Sequence, residues 1–162
     1  MFDFIRKPEI WRAMDAGLMS EIPGKLSFQL KTMQDLAVYA HLRDLKDMDI
    51  AEIGGGDSRI LPQLAKTNRC FNIEPFEGAD NGPKSEVKIV GVENVRTTVG
   101  CFDPVLKDAS FDTVFSVSVV EHVIDPEFPA FFEDNIRILK PGGVMYHAID
   151  MYLADSPTDF WR

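Results

Sequence analysis

The stretch that most constrains this chain is Ile50-Ala51-Glu52-Ile53-Gly54-Gly55-Gly56, an apolar strand that runs directly into three glycines. A helical face follows at once, with Ile60, Leu61, Leu64 and Ala65 on one side. Strand, glycine turn and helix make a βα unit whose turn lets a ligand approach the backbone with no Cβ in the way. The same alternation recurs downstream. Cys70 to Ile73 reads as a second strand ending at Glu74-Pro75, Val95 to Val99 as a third, and Thr113 to Val119 as a fourth buried on both faces. Val87 to Val90 reads as an extra strand, and Asn81-Gly82-Pro83 forbids a continuous helix before it. Glu127 to Leu139 reads as a helix, Pro141-Gly142-Gly143 as a turn, and Val144 to Ile149 as a fifth strand. Strands alternating with helices predict an α/β fold: a Rossmann-like, doubly wound, mostly parallel sheet with helices on both faces. Sheets of this kind bind ligands at the carboxyl ends of their strands.

Upstream, Pro23-Gly24 marks a turn, and Ser27 to Leu45 carries apolar residues at helical spacing. Residues 1–48 are expected to form a helical cap segment, including a stretch from Pro8 to Leu18, over a ligand-binding domain at 49–162. Trp11, Met14 and Phe28 are its apolar points, expected in the core more than against a substrate.

A length of 162 residues suits one domain with a working core. The net charge of −9 argues against nucleic acid as a partner, since displacing counterions takes a basic face. Cys70 and Cys101 show no metal spacing and no disulfide framework, and are expected to be small buried residues; no metal is called for. Charged residues interrupt the first ten positions, and no apolar run approaches a membrane span, so a cytoplasmic protein is expected.

Two acids sharpen the reading of the loop. Glu74 ends the second strand twenty residues after Gly54, where a carboxylate can accept hydrogen bonds from ribose hydroxyls. Glu52 lies inside an apolar strand and needs a partner there, which a cationic ligand would supply. A dinucleotide fingerprint would require a third glycine where Arg59 stands, and the lysine ending of a phosphate-binding loop is absent. A nucleotide-dependent oxidoreductase is therefore disfavoured.

The chain resembles the class I S-adenosylmethionine-dependent methyltransferases. Their first motif is matched by Ala51-Glu52-Ile53-Gly54-Gly55-Gly56-Asp57-Ser58, with Ser58 in place of the third glycine. Ser110-Phe111-Asp112-Thr113-Val114-Phe115-Ser116 is similar to the family's approach to strand four, Glu121-His122-Val123 to its next turn, and Leu139-Lys140-Pro141-Gly142-Gly143 to its approach to strand five. The four pieces keep the family's order and spacing from about Asp49 to Ile149. The resemblance implies S-adenosylmethionine as cofactor. It implies that Gly54, Gly56 and Ser58 cradle it, that Glu52 sits by the aminoacyl group, and that Glu74 binds the ribose. By the same resemblance, Phe102 and Asp103 line the adenine, and Ser116 and Ser118 lie beneath the methionine part.

The implied activity is methyl transfer to a small-molecule or saccharide-like acceptor, at oxygen. The alternative is a module that binds the cofactor without catalysis. Bases are expected at the ends of strands four and five: His147 and Asp150 as a pair, and His122 beside Glu121. His41 is expected on the surface. The family's sheet continues past strand five, and thirteen residues from Asp150 to Arg162 are too few for a crossover helix and two strands. The expectation is that the chain is the remainder of a longer protein, or that a second copy covers the edge as a homodimer.

Overall fold

A computed structural model describes residues 4–22, 30–78 and 82–151. Three helices lead the chain: α1 (Lys7–Asp15), α2 (Leu18–Glu21) and α3 (Leu30–Leu42). Then come β1 (Asp49–Ile53), the single turn α4 (Leu61–Leu64), β2 (Arg69–Ile73), β3 (Val92–Val95), β4 (Phe111–Val117), α5 (Phe128–Ile138) and β5 (Leu139–Ala148). All neighbouring strands pair in parallel, in the order β3-β2-β1-β4-β5. The chain leaves β1 in one direction and returns through β4 on its other side. The switch point therefore falls between the glycine loop and the end of β4, as the strand pattern predicts.

Alternation along the strands builds two apolar layers. Ile50, Phe115, Val117 and Ala148 face α1, α2, α3 and α4, with Leu36, Tyr39, Leu42, Leu61 and Leu64 in the same core. Ala51, Ile53, Val114 and Ile73 face the opposite side, with Phe131 and Ile138 of α5. Helices thus cover both faces. Residues of the cap segment share their core with the sheet: Ile10 and Ala13 of α1 are buried and Met14 packs beside them, whereas Trp11 is 60% exposed.

Several boundaries differ from the sequence expectation. The third strand is Val92–Val95, earlier than the Val95–Val99 stretch. Asn94 fixes that register, accepting from Asn72 Nδ2 at 3.2 Å and donating to Val87 O at 2.9 Å, and Thr97 N already turns back onto Val95 O. Val87–Val90 forms no strand, because this segment leads into a turn closed by Val92 N on Ile89 O. Pro141-Gly142-Gly143 lies inside β5 as a bulge, between the pairs Phe111↔Leu139 and Thr113↔Val144. Gly142 has φ +84°, and a Cβ at Gly143 would lie 2.9 Å from Lys140 O, so neither position suits a larger residue. Phe28, Pro23-Gly24, Asn81 and the tail from Tyr152 onward lie outside the described residues.

Candidate active site

A cleft of about 480 Å³ runs along the carboxyl ends of the strands. Ile53 and Gly54 line it from β1, Ile73, Glu74 and Pro75 from β2, and Ser118 and Val119 from β4. Thr97 to Cys101 line it too, together with His122, Val123, Ala130 and Phe131.

The glycine loop is closely fitted. Gly54 has φ +64° and Gly56 φ +52°, a left-handed conformation that a Cβ disfavours. A Cβ on Gly54 would stand 2.7 Å from Val119 Cγ2. On Gly55 it would stand 2.6 Å from Asn72 Oδ1. Asn72 is fully buried and donates to Gly56 O at 3.1 Å, so a polar residue in β2 holds the loop from beneath.

Glu52 and Ser58 are both buried, and neither lines the cleft. The partner that Glu52 requires is the Ser58 hydroxyl, which donates to Glu52 Oε2. Ser58 Oγ in turn accepts from the amides of Ile60 and Leu61, at 3.2 and 3.1 Å, and so starts the helix after the loop. A cationic ligand is not needed to explain Glu52. Burial pushes its carboxyl up to about 8, against the bond from Ser58. The serine at the third glycine position thus ties strand to helix.

Glu74 is buried in the cleft wall, and its Oε1 accepts from the amide of Phe76 at 3.2 Å. Phe76 itself has φ +57°. Phe102 and Asp103 do not line the cleft. Phe102 is 45% exposed, and Asp103 accepts from Val105 N at 2.9 Å and Thr97 Oγ1 at 2.8 Å. Those two bonds hold the Asp103 carboxyl below the usual range. The loop Gly100–Phe102 is instead held by Asp134 of α5, fully buried, whose Oδ2 accepts from Gly100 N at 2.7 Å and Phe102 N at 3.2 Å. Cys101 is exposed at the cleft, unlike Cys70, which is buried as expected.

The expected His147–Asp150 pair is not formed: β5 ends at Ala148, and the two side chains engage different elements. His147 Nδ1 meets Ser116 Oγ at 2.8 Å, and the ring packs against Phe131 and Phe132 on the α5 side, each 5.8 Å away. Burial pushes its pKa down to about 4. Neither His147 nor Ser116 lines the cleft. Asp150 is turned to the other face, where its Oδ1 accepts from Gln34 of α3 at 2.6 Å. Of the three expected bases, His122 alone lines the cleft. Burial pushes the neighbouring Glu121 carboxyl up, and Asp150 adds to the shift. His41 is on the surface, stacked on Tyr146 at 5.5 Å.

Residues 51–147 match the sequence family described as a methyltransferase domain. The chain belongs to that family. The match covers the glycine loop, the end of β2 and the end of β4, all of which contribute residues to the cleft. Membership brings S-adenosylmethionine as the cofactor. The observed cleft fits it: a left-handed glycine turn at Gly54, a buried carboxylate at Glu74 and apolar lining from Val99 and Phe131.

No curated protein matches the chain in sequence. Among solved structures, phosphoethanolamine N-methyltransferase 1 of Haemonchus contortus, in complex with phosphoethanolamine and S-adenosylhomocysteine, is 19% identical with a TM-score of 0.56 over 72% of this chain and 25% of its own. The DhpI–SAM–HEP complex is 20% identical, with a TM-score of 0.53 over 87% of this chain and 66% of its own. YcgJ of Bacillus subtilis is 14% identical, with a TM-score of 0.54 over 70% of this chain and 49% of its own. The chain therefore spans between a quarter and about two thirds of the length of these proteins, and the likeness is one of fold.

The sequence reading named Gly54, Glu74, Ser118 and His122, which line the cleft, and Gly56, which does not; it named none of Asn72, Asp134 and Gln34. Asn72 carries the signal that exposed Glu52, a polar residue inside an apolar strand. Asp134 and Gln34 lie on amphipathic helices, where a polar residue is unremarkable until its burial is known.

Proposed function

We propose that this chain binds S-adenosylmethionine along the cleft and transfers its methyl group to a small-molecule or saccharide-like acceptor, at oxygen. The observation that carries the reading is the cleft itself, which sets the Gly54 backbone, the Glu74 carboxylate and the His122 imidazole around one volume. When bound, the cofactor supplies a methyl carbon activated by positive sulfur, whose bond to sulfur breaks as the bond to the acceptor oxygen forms. Glu74 accepts hydrogen bonds from the ribose hydroxyls. The Gly54 backbone and Ser118 support the methionine part, and the apolar lining at Val99 and Phe131 takes the adenine. His122 accepts the proton that the acceptor hydroxyl loses. Enclosure in the cleft aligns the acceptor and limits water, which is the main requirement for an already activated methyl.

In this reading residues 1–48 cap the domain of residues 49–162, and the protein acts in the cytoplasm. Among the described residues no helix is long and apolar enough to cross a membrane. The test is a screen with methyl-labelled S-adenosylmethionine against sugars, nucleotide sugars and other small hydroxyl compounds. Labelled product that requires His122 supports the reading. Cofactor binding with no transfer to any acceptor class would favour the non-catalytic module, and transfer only to amines would move the acceptor atom to nitrogen.

A further inference from the structure

Helix α3 carries two adjacent polar residues, Gln34 and Asp35, that are 1% and 4% exposed. Burying an amide and a carboxylate is costly unless both are paired. Asp35 forms an ion pair with Arg59, immediately after the glycine loop, and Arg59 also reaches Thr32 Oγ1 at 3.5 Å. Gln34 spans the ends of two strands: its Oε1 accepts from Ser118 Oγ at 2.9 Å, and its Nε2 donates to Asp150 Oδ1 at 2.6 Å. Ser118 is a non-glycine residue with φ +55°, a strained conformation that persists only where its surroundings impose it. Its amide is fixed by Ala148 O at 2.9 Å and its hydroxyl by Gln34.

We propose that Gln34 is a positioning residue for the methionine end of the cofactor site: the relay Asp150–Gln34–Ser118 holds Ser118 in its left-handed conformation beside Gly54, so that α3 shapes a site it does not line. The proposal rests on the reading of the cleft as a cofactor site. Its consequence is local. The adenine end, formed by Thr97 to Cys101 and Phe131, is held separately by Asp134.

The experiment compares two ligands that share adenosine and differ in the aminoacyl group, S-adenosylhomocysteine and 5′-methylthioadenosine, by calorimetry. Gln34→Leu removes both bonds. Asp150→Ala removes the anchor of the Gln34 amide together with a charge near Glu121, at a half-buried position past β5 and outside the cleft lining, and serves if the first variant does not fold. Each variant is expected to bind S-adenosylhomocysteine roughly tenfold more weakly, the scale of one lost hydrogen bond, and 5′-methylthioadenosine within about twofold of wild type. Equal loss for both ligands means general destabilisation and overturns the proposal, as does unchanged S-adenosylhomocysteine affinity. Wild-type protein that binds neither ligand would instead overturn the cofactor reading beneath it.

Discussion

Replacing Glu74 with alanine should weaken cofactor binding by an amount the local geometry bounds. Its carboxylate is buried in the cleft wall, and one oxygen already accepts from Phe76 N at 3.2 Å. The remaining acceptor capacity allows a charge-assisted bond to a ribose hydroxyl. Such a bond contributes about 1.5–3 kcal/mol, or roughly 10- to 150-fold in Kd. Glu74→Ala also strips the acceptor from Phe76 N, where φ is +57°, so the fold should lose about 1 kcal/mol as well. Glu74→Gln keeps an oxygen for Phe76 and separates the two effects: its unfolding midpoint should stay near wild type while affinity still falls. Titration with S-adenosylhomocysteine gives Kd, and urea unfolding gives stability. A 2′,3′-dideoxy analogue completes the cycle, because its affinity should no longer respond to Glu74→Ala. If Glu74→Ala binds S-adenosylhomocysteine within twofold of wild type, or loses the same factor for the dideoxy analogue, Glu74 does not hold the ribose.

Glu52→Gln should flatten the stability profile on the alkaline side. A carboxyl raised from 4.5 to about 8 leaves stability intact below pH 4.5 and removes it as pH rises towards 8, by at most about 1.4 kcal/mol per pH unit. The clean window is pH 6.5–8, since His147, depressed from 6.5 to about 4, removes stability as pH falls between those values and opposes Glu52 there. Urea unfolding that shows wild type equally stable at pH 6.5 and 8 would contradict the buried neutral acid. His122→Ala should lower kcat by roughly 10²–10⁴. His147→Asn should cost stability and leave kcat within about tenfold, because the imidazole lies in the aromatic layer; the reverse pattern would return the base to β5. Gly54→Ala should destabilise the fold by roughly 2–4 kcal/mol, from left-handed strain plus overpacking on Val119, and a melting curve like that of wild type would show the loop to be slack.

Most strands and their parallel pairing were legible because buried strands read as short apolar runs, and glycine and proline punctuate them. The start of β5 was not: Pro141-Gly142-Gly143 has turn chemistry, and only pairing with β4 makes it a bulge. β3 was displaced because Asn94, a poor strand former, is held by Asn72 and Val87 O, bonds no local pattern encodes. The places of Gly54 and Glu74 at the cleft were legible, since each directly follows a strand. Glu52 signalled a partner correctly, but Ser58 supplies it from within the same loop. The His147–Asp150 spacing looked like a pair in one dimension. Asp150 lies two residues past the end of β5 and is taken by Gln34, while His147 is held by Ser116, so the two diverge. The clamp by Gln34 joins residues whose separation in sequence exceeds eighty positions, and only the fold brings them together.

Whether the cleft is a site for S-adenosylmethionine is decided by calorimetric titration of the chain with S-adenosylmethionine and, separately, with NAD. One molar equivalent of S-adenosylmethionine should bind with saturable heat, and NAD should not bind at the same concentrations. Saturable binding of NAD with none of S-adenosylmethionine would contradict the cofactor reading.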